Sequence, residues 1–312
     1  MTNLTQLKPD GLLNRLKNGD LLISDGATGT WLQMNGLEPG GCPEEINESN
    51  GELIKRMSHE YFDAGSDLVL TNSFGGSKFM LKKYGYENKC TLLNQLAAEH
   101  ASSQAPPGKF VAGSVGPSGE FLEPLGPISE SEMFDAFSEQ VTALASGGAN
   151  AIIVETMTAI EEAEIAVKSI KENTDLPAIA TMTFDKGPRG YFTMMGIDPP
   201  TAAQKLTSSG ADVVGSNCGN GIDNMLEIAR LMRESTSLPL LIHSNAGIPV
   251  IRQGQIIYPE TPEYMAKKFA ELIEMGGISI FGGCCGTTPK HVEHFSNTIG
   301  DFRERQMGEI NV

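Results

Sequence analysis

The chain has 312 residues and sets 23 Lys+Arg against 39 Asp+Glu, a formal charge of −16. That balance argues against a nucleic-acid or anionic-membrane partner, since both ask for a basic face. Hydrophobic residues make up 40%, enough for a large core and too many for a disordered chain, and five cysteines are too sparse and odd a set for a disulfide scaffold.

No run approaches the ~18 apolar residues that span a bilayer. The start, Met1-Thr2-Asn3-Leu4-Thr5, lacks the basic-then-apolar order of a signal peptide. A cytoplasmic protein with reduced thiols is the expectation.

Short β-rich apolar runs alternate with helical patterns along the whole chain. The first strand, 21–24, leads into Asp25-Gly26-Ala27-Thr28-Gly29-Thr30. The second, 68–71, leads into Thr71-Asn72-Ser73-Phe74-Gly75-Gly76, and the third, 110–114, ends in Gly113-Ser114-Val115-Gly116-Pro117. A Ser129-x-x-Glu132 capping box then opens a helix with Phe134, Phe137, Val141 and Leu144 on one face. The fourth strand, 152–155, ends in Glu155-Thr156; the fifth is 178–183. The sixth, 213–216, runs into Asn217-Cys218-Gly219, and the seventh, 240–243, into Asn245-Ala246-Gly247. Thr261-Pro262 reads as an N-cap with Pro at the first helical position, placing Met265, Phe269 and Leu272 together. The eighth strand, 278–281, ends in Gly282-Gly283-Cys284-Cys285-Gly286.

Four helix-to-strand links echo one another: Ala64-Gly65-Ser66-Asp67, Gly147-Gly148-Ala149-Asn150, Ser209-Gly210-Ala211-Asp212 and Met275-Gly276-Gly277-Ile278. They read either as internal repetition or as ordinary loop chemistry, with Gly as the left-handed helix stop. Eight strands with intervening helices predict an α/β fold, a (β/α)8 TIM barrel forming one domain over residues 1–312. The runner-up, a doubly wound sheet, lacks its G-x-G-x-x-G fingerprint in the first Gly cluster. In a barrel, chemistry sits just after the strands, and seven strand ends carry polar or Gly-rich candidates.

Cys218 ends strand six, and Cys284 and Cys285 end strand eight, so three sulfurs can converge. Three thiolates with a vacant fourth position suit a catalytic zinc, and soft sulfur favours zinc over magnesium or calcium. Gly282, Gly283 and Gly286 let the backbone bend so that adjacent cysteines reach one ion. The alternatives are buried small hydrophobes or a vicinal redox pair. Cys42 and Cys90 read as structural, and Trp31, the single Trp, as a packed aromatic.

With these residues in place the chain resembles the zinc-dependent homocysteine S-methyltransferase family, the homocysteine-activating module of cobalamin-dependent methionine synthase and its relatives. The matching motifs are DGATGT at 25–30, TNSFGG at 71–76, GSVGP at 113–117, VET at 154–156, GSNCG at 215–219, SNAG at 244–247 and GGCCG at 282–286. The resemblance implies a (β/α)8 barrel that methylates homocysteine to methionine. It implies Cys218, Cys284 and Cys285 as zinc ligands and Glu155 as the acid on the amino group. It also implies Asp25 as a second polar contact, and Gly26 and Ser114 beside the substrate carboxylate and backbone. Asn217, just before the zinc Cys, is expected to shape the turn and Asn245 to help line the site; both complete the expected substrate-binding set. Asp25 as a helix N-cap, and Glu155 as a solvated strand-end acid, remain the plainer readings.

For the methyl donor, betaine-using members of the family carry an aromatic where this chain has Gly75 and a Trp before a Pro-Glu where it has Cys42-Pro43-Glu44, so a cage for a quaternary ammonium is not expected. None of His59, His100, His243, His291 and His294 sits in a cobalamin-binding D-x-H-x-x-G motif. The expected donor is methylcobalamin or another methylcorrinoid carried by a separate partner protein. The competing readings are the same barrel moving methyl groups between another methylated substrate or thiol and a corrinoid protein, a betaine- or S-methylmethionine-type donor, a zinc- or thiol-amino-acid-binding protein without turnover, and a redox protein using Cys284-Cys285.

Overall fold

The computed structural model describes residues 11–252 and 255–310; residues 1–5, read above for a leader, lie outside them. All eight expected strands form. They are β1 (Leu22–Ile23), β2 (Leu68–Leu70), β3 (Phe110–Val115), β4 (Ala151–Met157), β5 (Ala178–Met182), β6 (Val213–Asn217), β7 (Leu240–Ser244) and β8 (Ile278–Gly283). They pair in parallel, in chain order from β2 to β8, and β8 returns to β1. A single parallel bridge, Ser24 to Leu68, closes β1 onto β2 and completes the barrel. Two short antiparallel hairpins on the loops after β5 and β7, Asp185–Gly187 with Gly190–Phe192 and Val250–Arg252 with Gln255–Ile257, were not anticipated. Among the described residues no helix is long and apolar enough to cross a membrane.

The strand period of two sorts the side chains. Outward residues such as Val111, Ile152, Ala180, Ile242 and Phe281 belong to the large core shared with the helices. Inward residues Leu22, Leu68, Phe110, Ala112, Ile153, Ile179, Val213, Leu241 and Ile280 fill the lower barrel. Leu12 and Leu16, on the helix Leu12–Lys17, join this inner cluster and plug its lower end. The same inward rows continue upward into Ser24, Ser114, Glu155, Thr181, Asn217 and His243, all buried. The barrel is thus apolar below and polar at the mouth, as the sequence order within each strand requires.

The anticipated helices form as well. Ser129 and Glu132 make the reciprocal capping box of Glu130–Ser146. Met133, Phe137, Val141 and Leu144 are buried there, while Phe134 is only partly covered and lies under Lys168 Nζ at 5.4 Å. Thr261 caps Pro262–Met275, and Phe269 stacks on Phe281 with ring centroids 4.0 Å apart.

The four echoed links share one device. Gly65, Gly148, Gly210 and Gly276 all have positive φ at the helix stop. In the first three, the next acidic or amide residue clasps the preceding strand. Asp67, Asn150 and Asp212 donate their N–H to Ile23, Val111 and Ala178 carbonyls, and their side chains accept from the N–H of those same residues. The repetition is therefore structural and sits at the end of the barrel opposite the polar layer. Ile278 cannot supply the side-chain half, so the fourth link lacks it.

Candidate active site

Cys218, Cys284 and Cys285 converge at the barrel mouth, with their sulfurs all within 4.8 Å of one another. Cys218 is reached by a turn at the end of β6 in which its own φ is +60° and that of Gly219 +70°. Its N–H donates to the His243 carbonyl at 3.1 Å, and the Cys284 N–H to the Ser244 carbonyl at 2.7 Å. Backbone bonds to β7 thus hold both sides of the cluster. Gly286 has φ +82°, and a Cβ there would lie 2.0 Å from the Tyr258 ring. A side chain at this position would drive the Cys284-Cys285 turn off the cluster. Cys218 and Cys285 sulfurs are 3.9 Å apart, so the grouping is a three-sulfur set and not an isolated vicinal pair.

Thiol chemistry at this cluster favours a single negative charge when no cation is bound. Cys218 is held well below the usual thiol range because it accepts from the Cys284 and Cys285 thiols. Cys284 and Cys285 are pushed up, chiefly by their hydrogen bonds to Cys218. A soft divalent cation would let all three ionise together. The Asn245 side chain also lowers the Cys218 thiol, and its Oδ1 is buried without a protein partner. The three-sulfur donor set and this unsatisfied oxygen fit a metal ion.

A cavity of about 260 Å³ opens beside the cluster. Glu155, Ser114, Thr156 and His243 form its floor and wall with the three cysteines, and Gly26 to Thr30, Pro43, Glu44, Leu70 to Asn72, Phe74 and Gly283 complete it. Ser114 Oγ donates to Glu155 Oε1 at 2.5 Å. Burial pushes the Glu155 carboxyl up to about 7, opposed by the Ser114 bond and reinforced by charge at Cys218. Glu155 is therefore a buried strand-end acid, not a solvated one.

Asp25 is not a helix N-cap, since the helix Thr28–Met34 has Ala27 at its N-cap. Its Oδ2 accepts from Leu70 N–H and its Oδ1 from Ser24 Oγ, which ties β1 to β2. Burial raises it to about 7 against the Leu70 bond, with the Glu155 charge adding to the rise. Gly26 lies where a Cβ would fall 2.8 Å from Thr287 Oγ1, and Thr287 links the first and last loops by bonds to Ala27 N–H and the Cys284 carbonyl.

Of the expected residues, Gly26, Ser114, Glu155 and the three cysteines line the cavity, while Asp25, Asn217 and Asn245 stand behind its wall. Cys42 and Cys90 pack with Leu81 and Leu93 away from the cluster. Trp31 is packed as expected, its Nε1 bonded to Glu60 at 2.8 Å.

Several residues went unread in the sequence. His243 and Thr181 occupy inward positions of β7 and β5, so strand periodicity alone could have found them. Burial pushes His243 down to about 3, leaving a neutral ring whose Nε2 has no protein partner. Glu44, noted in the sequence only for the residues beside it, contributes a further buried carboxyl, bonded to Gly75 N–H at 2.7 Å.

Fold and site together define a class: a (β/α)8 barrel with a cavity and a three-thiol cluster at the C-terminal ends of its strands. Residues 22–299 match the family model described as homocysteine S-methyltransferase, and the chain belongs to that family. It is 31% identical over 308 residues to methionine synthase of Mycobacterium tuberculosis and 31% identical over 298 residues to that of Mycobacterium leprae. Those alignments cover 92% and 89% of this chain but only 25% and 24% of the relatives, so the chain spans about a quarter of their length. A crystal structure of the homocysteine methyltransferase MmuM from Escherichia coli, in metallated form, superposes with a TM-score of 0.73 at 21% identity. That likeness covers 91% of this chain and 98% of that one, and it supports the barrel fold.

Proposed function

We propose that the protein methylates homocysteine to methionine, with Cys218, Cys284 and Cys285 holding a zinc ion. The observation that carries this reading is the convergence of three sulfurs at one end of a cavity whose wall holds the Ser114–Glu155 pair. Bound zinc would supply the Lewis acidity that keeps the substrate thiol ionised at neutral pH. The rest of the task falls to the chain. Glu155 takes the substrate ammonium, whose charge would hold the carboxylate ionised despite its burial. Ser114 orients Glu155 through its hydroxyl, and the Gly26 loop offers a close-fitting wall to the amino-acid backbone. Enclosure in the cavity fixes the thiol against the sulfur cluster and aims it outward, where positioning is the main contribution to rate.

The donor in this reading is a methylcorrinoid on a separate protein. Its support is the 31% identity to proteins named methionine synthase, together with a cavity in which Phe74 is the single aromatic lining residue. The test is methionine formation from homocysteine and methylcobalamin by the zinc-loaded protein, with S-methylmethionine and betaine as parallel donors. Turnover with methylcobalamin is expected. Turnover confined to either small cationic donor would reject the corrinoid assignment and leave the homocysteine assignment intact.

A further inference from the structure

We propose that Asn217 is a positioning residue that ties the Glu155 carboxylate to the thiol cluster. The inference rests on the reading of the three cysteines as metal ligands. Asn217 is fully buried on the inward face of β6, one residue before Cys218. Its Oδ1 accepts from Thr156 N–H and from Thr181 Oγ1, both at 2.7 Å. Its Nδ2 donates to Thr156 Oγ1 at 2.7 Å and faces Glu155 Oε2 at 3.4 Å and Cys284 Sγ at 3.9 Å.

The amide can point only one way. Thr156 N–H is solely a donor, so Oδ1 must face it, and the NH2 group must then face the carboxylate and the sulfur. Both become anionic when a metal and a substrate ammonium are in place, and a neutral donor between them suits both. Asn217 also holds the two backbone kinks of the site. Thr156, at φ +63°, is bound to its amide at two atoms, and Cys218, at φ +60°, follows it in the chain. These are the two non-glycine residues with positive φ among the described residues.

Asn217→Asp keeps the shape and the Oδ1 contacts but turns a second oxygen toward Glu155 and Cys284. Thr181→Val removes one restraint on the amide, and Thr181→Ser keeps it. Zinc affinity is read by competition with a chromophoric chelator, and thermal melts are run on the metal-free proteins. The wild type is expected to bind one zinc. N217D should bind it about 10- to 100-fold more weakly, the range seen when groups supporting metal ligands are altered, with a lowered metal-free melt that still leaves the protein folded at the assay temperature. T181V should fall in the same direction by less, and T181S should restore wild-type affinity. Unchanged zinc affinity in both N217D and T181V, or a loss that only follows unfolding of the metal-free variants, overturns the inference alone. A wild type that takes up no zinc overturns the ligand assignment and the inference with it.

Discussion

Ser114 and Glu155 face each other across neighbouring strands, joined by a hydrogen bond from the Ser114 hydroxyl to Glu155 Oε1. Both point inward, at the level where the barrel interior changes from apolar to polar. The pair gives a buried acid a fixed donor and, among the described residues, leaves it without a positive partner, a costly arrangement for an ionised carboxylate.

That shortage makes the metal-free protein sensitive to pH. Glu155 titrates near 7 in the folded chain and near 4.5 when unfolded, so the folded state holds the proton more tightly. The stability this contributes is fully present below about pH 4.5 and is lost as pH rises through 7. Glu155→Gln removes the titration. Between pH 5 and pH 8 the variant should gain on the wild type by on the order of 2 kcal/mol, read as a Tm difference that moves several degrees in its favour. The same variant should lose homocysteine binding by calorimetry. A Tm difference that stays flat across this range would refute the buried-acid account.

The cysteines divide cleanly by position, and metal analysis should divide them the same way. Cys218→Ser and Cys285→Ser replace a soft thiolate with a hydroxyl that does not ionise, so each should lose stoichiometric zinc and methyl transfer together. Cys42→Ser and Cys90→Ser alter an apolar cluster under the loops. Each thiol already faces an acceptor, Glu44 Oε2 for Cys42 and the Gly76 carbonyl for Cys90, so a Ser hydroxyl would keep a partner; both variants should cost little, about 1 kcal/mol, and keep one zinc per chain. Zinc retained by Cys218→Ser would exclude it as a ligand.

Gly215 should be the least replaceable glycine of the barrel interior. It faces inward on β6, and a Cβ there would lie 1.9 Å from the Leu241 carbonyl oxygen on β7. That atom is backbone, and Gly215 and Leu241 are register partners, so neither strand can yield alone. Gly215→Ala should cost at least about 3 kcal/mol, the upper end for overpacking. Gly113→Ala gives the contrast. Its Cβ would meet Ile152 Cδ1 at 2.8 Å, the end of a side chain, and Leu144 Cβ and Cδ1 at 3.0 Å, contacts far less severe than one at 1.9 Å to a carbonyl oxygen. Chemical denaturation should show the Gly113 variant losing less than half as much as the Gly215 variant.

The strands and the cysteine cluster were legible in the sequence for one reason. Each is written locally, as an apolar run followed by Gly and polar residues, and a parallel barrel brings all such ends to one face. What stayed hidden depends on facing. Asn217 could be read as a substrate-site residue, yet its amide is engaged by Thr156 and Thr181 and it is buried behind the wall. Asp25 looked like a ligand group, and its carboxylate is engaged by the backbone of β2, a partner 45 residues away. Glu44 enters from a loop with no strand period to mark it. The two hairpins were missed because each is only three residues per strand and sits inside a loop.

The barrel seam supplies the last prediction. β1 has two residues and meets β2 by one bridge, so that edge has the fewest ladder bonds of the closed sheet. Asp67 compensates. Its N–H donates to the Ile23 carbonyl, its Oδ2 accepts from Ile23 N–H at 3.0 Å, and its Oδ1 meets Lys109 Nζ at 2.9 Å and Arg15 at 3.4 Å. Asp212 makes the same two bonds to Ala178, but between β5 and β6, which share four register pairs. Removing either carboxylate strands one backbone N–H, a loss of about 1–3 kcal/mol. At Asp67 the seam has little else to hold it. Asp67→Ala should therefore lower Tm more than Asp212→Ala, and amide exchange at Ile23 and Ser24 should accelerate at Asp67→Ala while exchange in β4 and β5 stays slow. Equal destabilisation by the two variants, with β1 still protected, would show that the seam is held by the surrounding helices and not by this side chain.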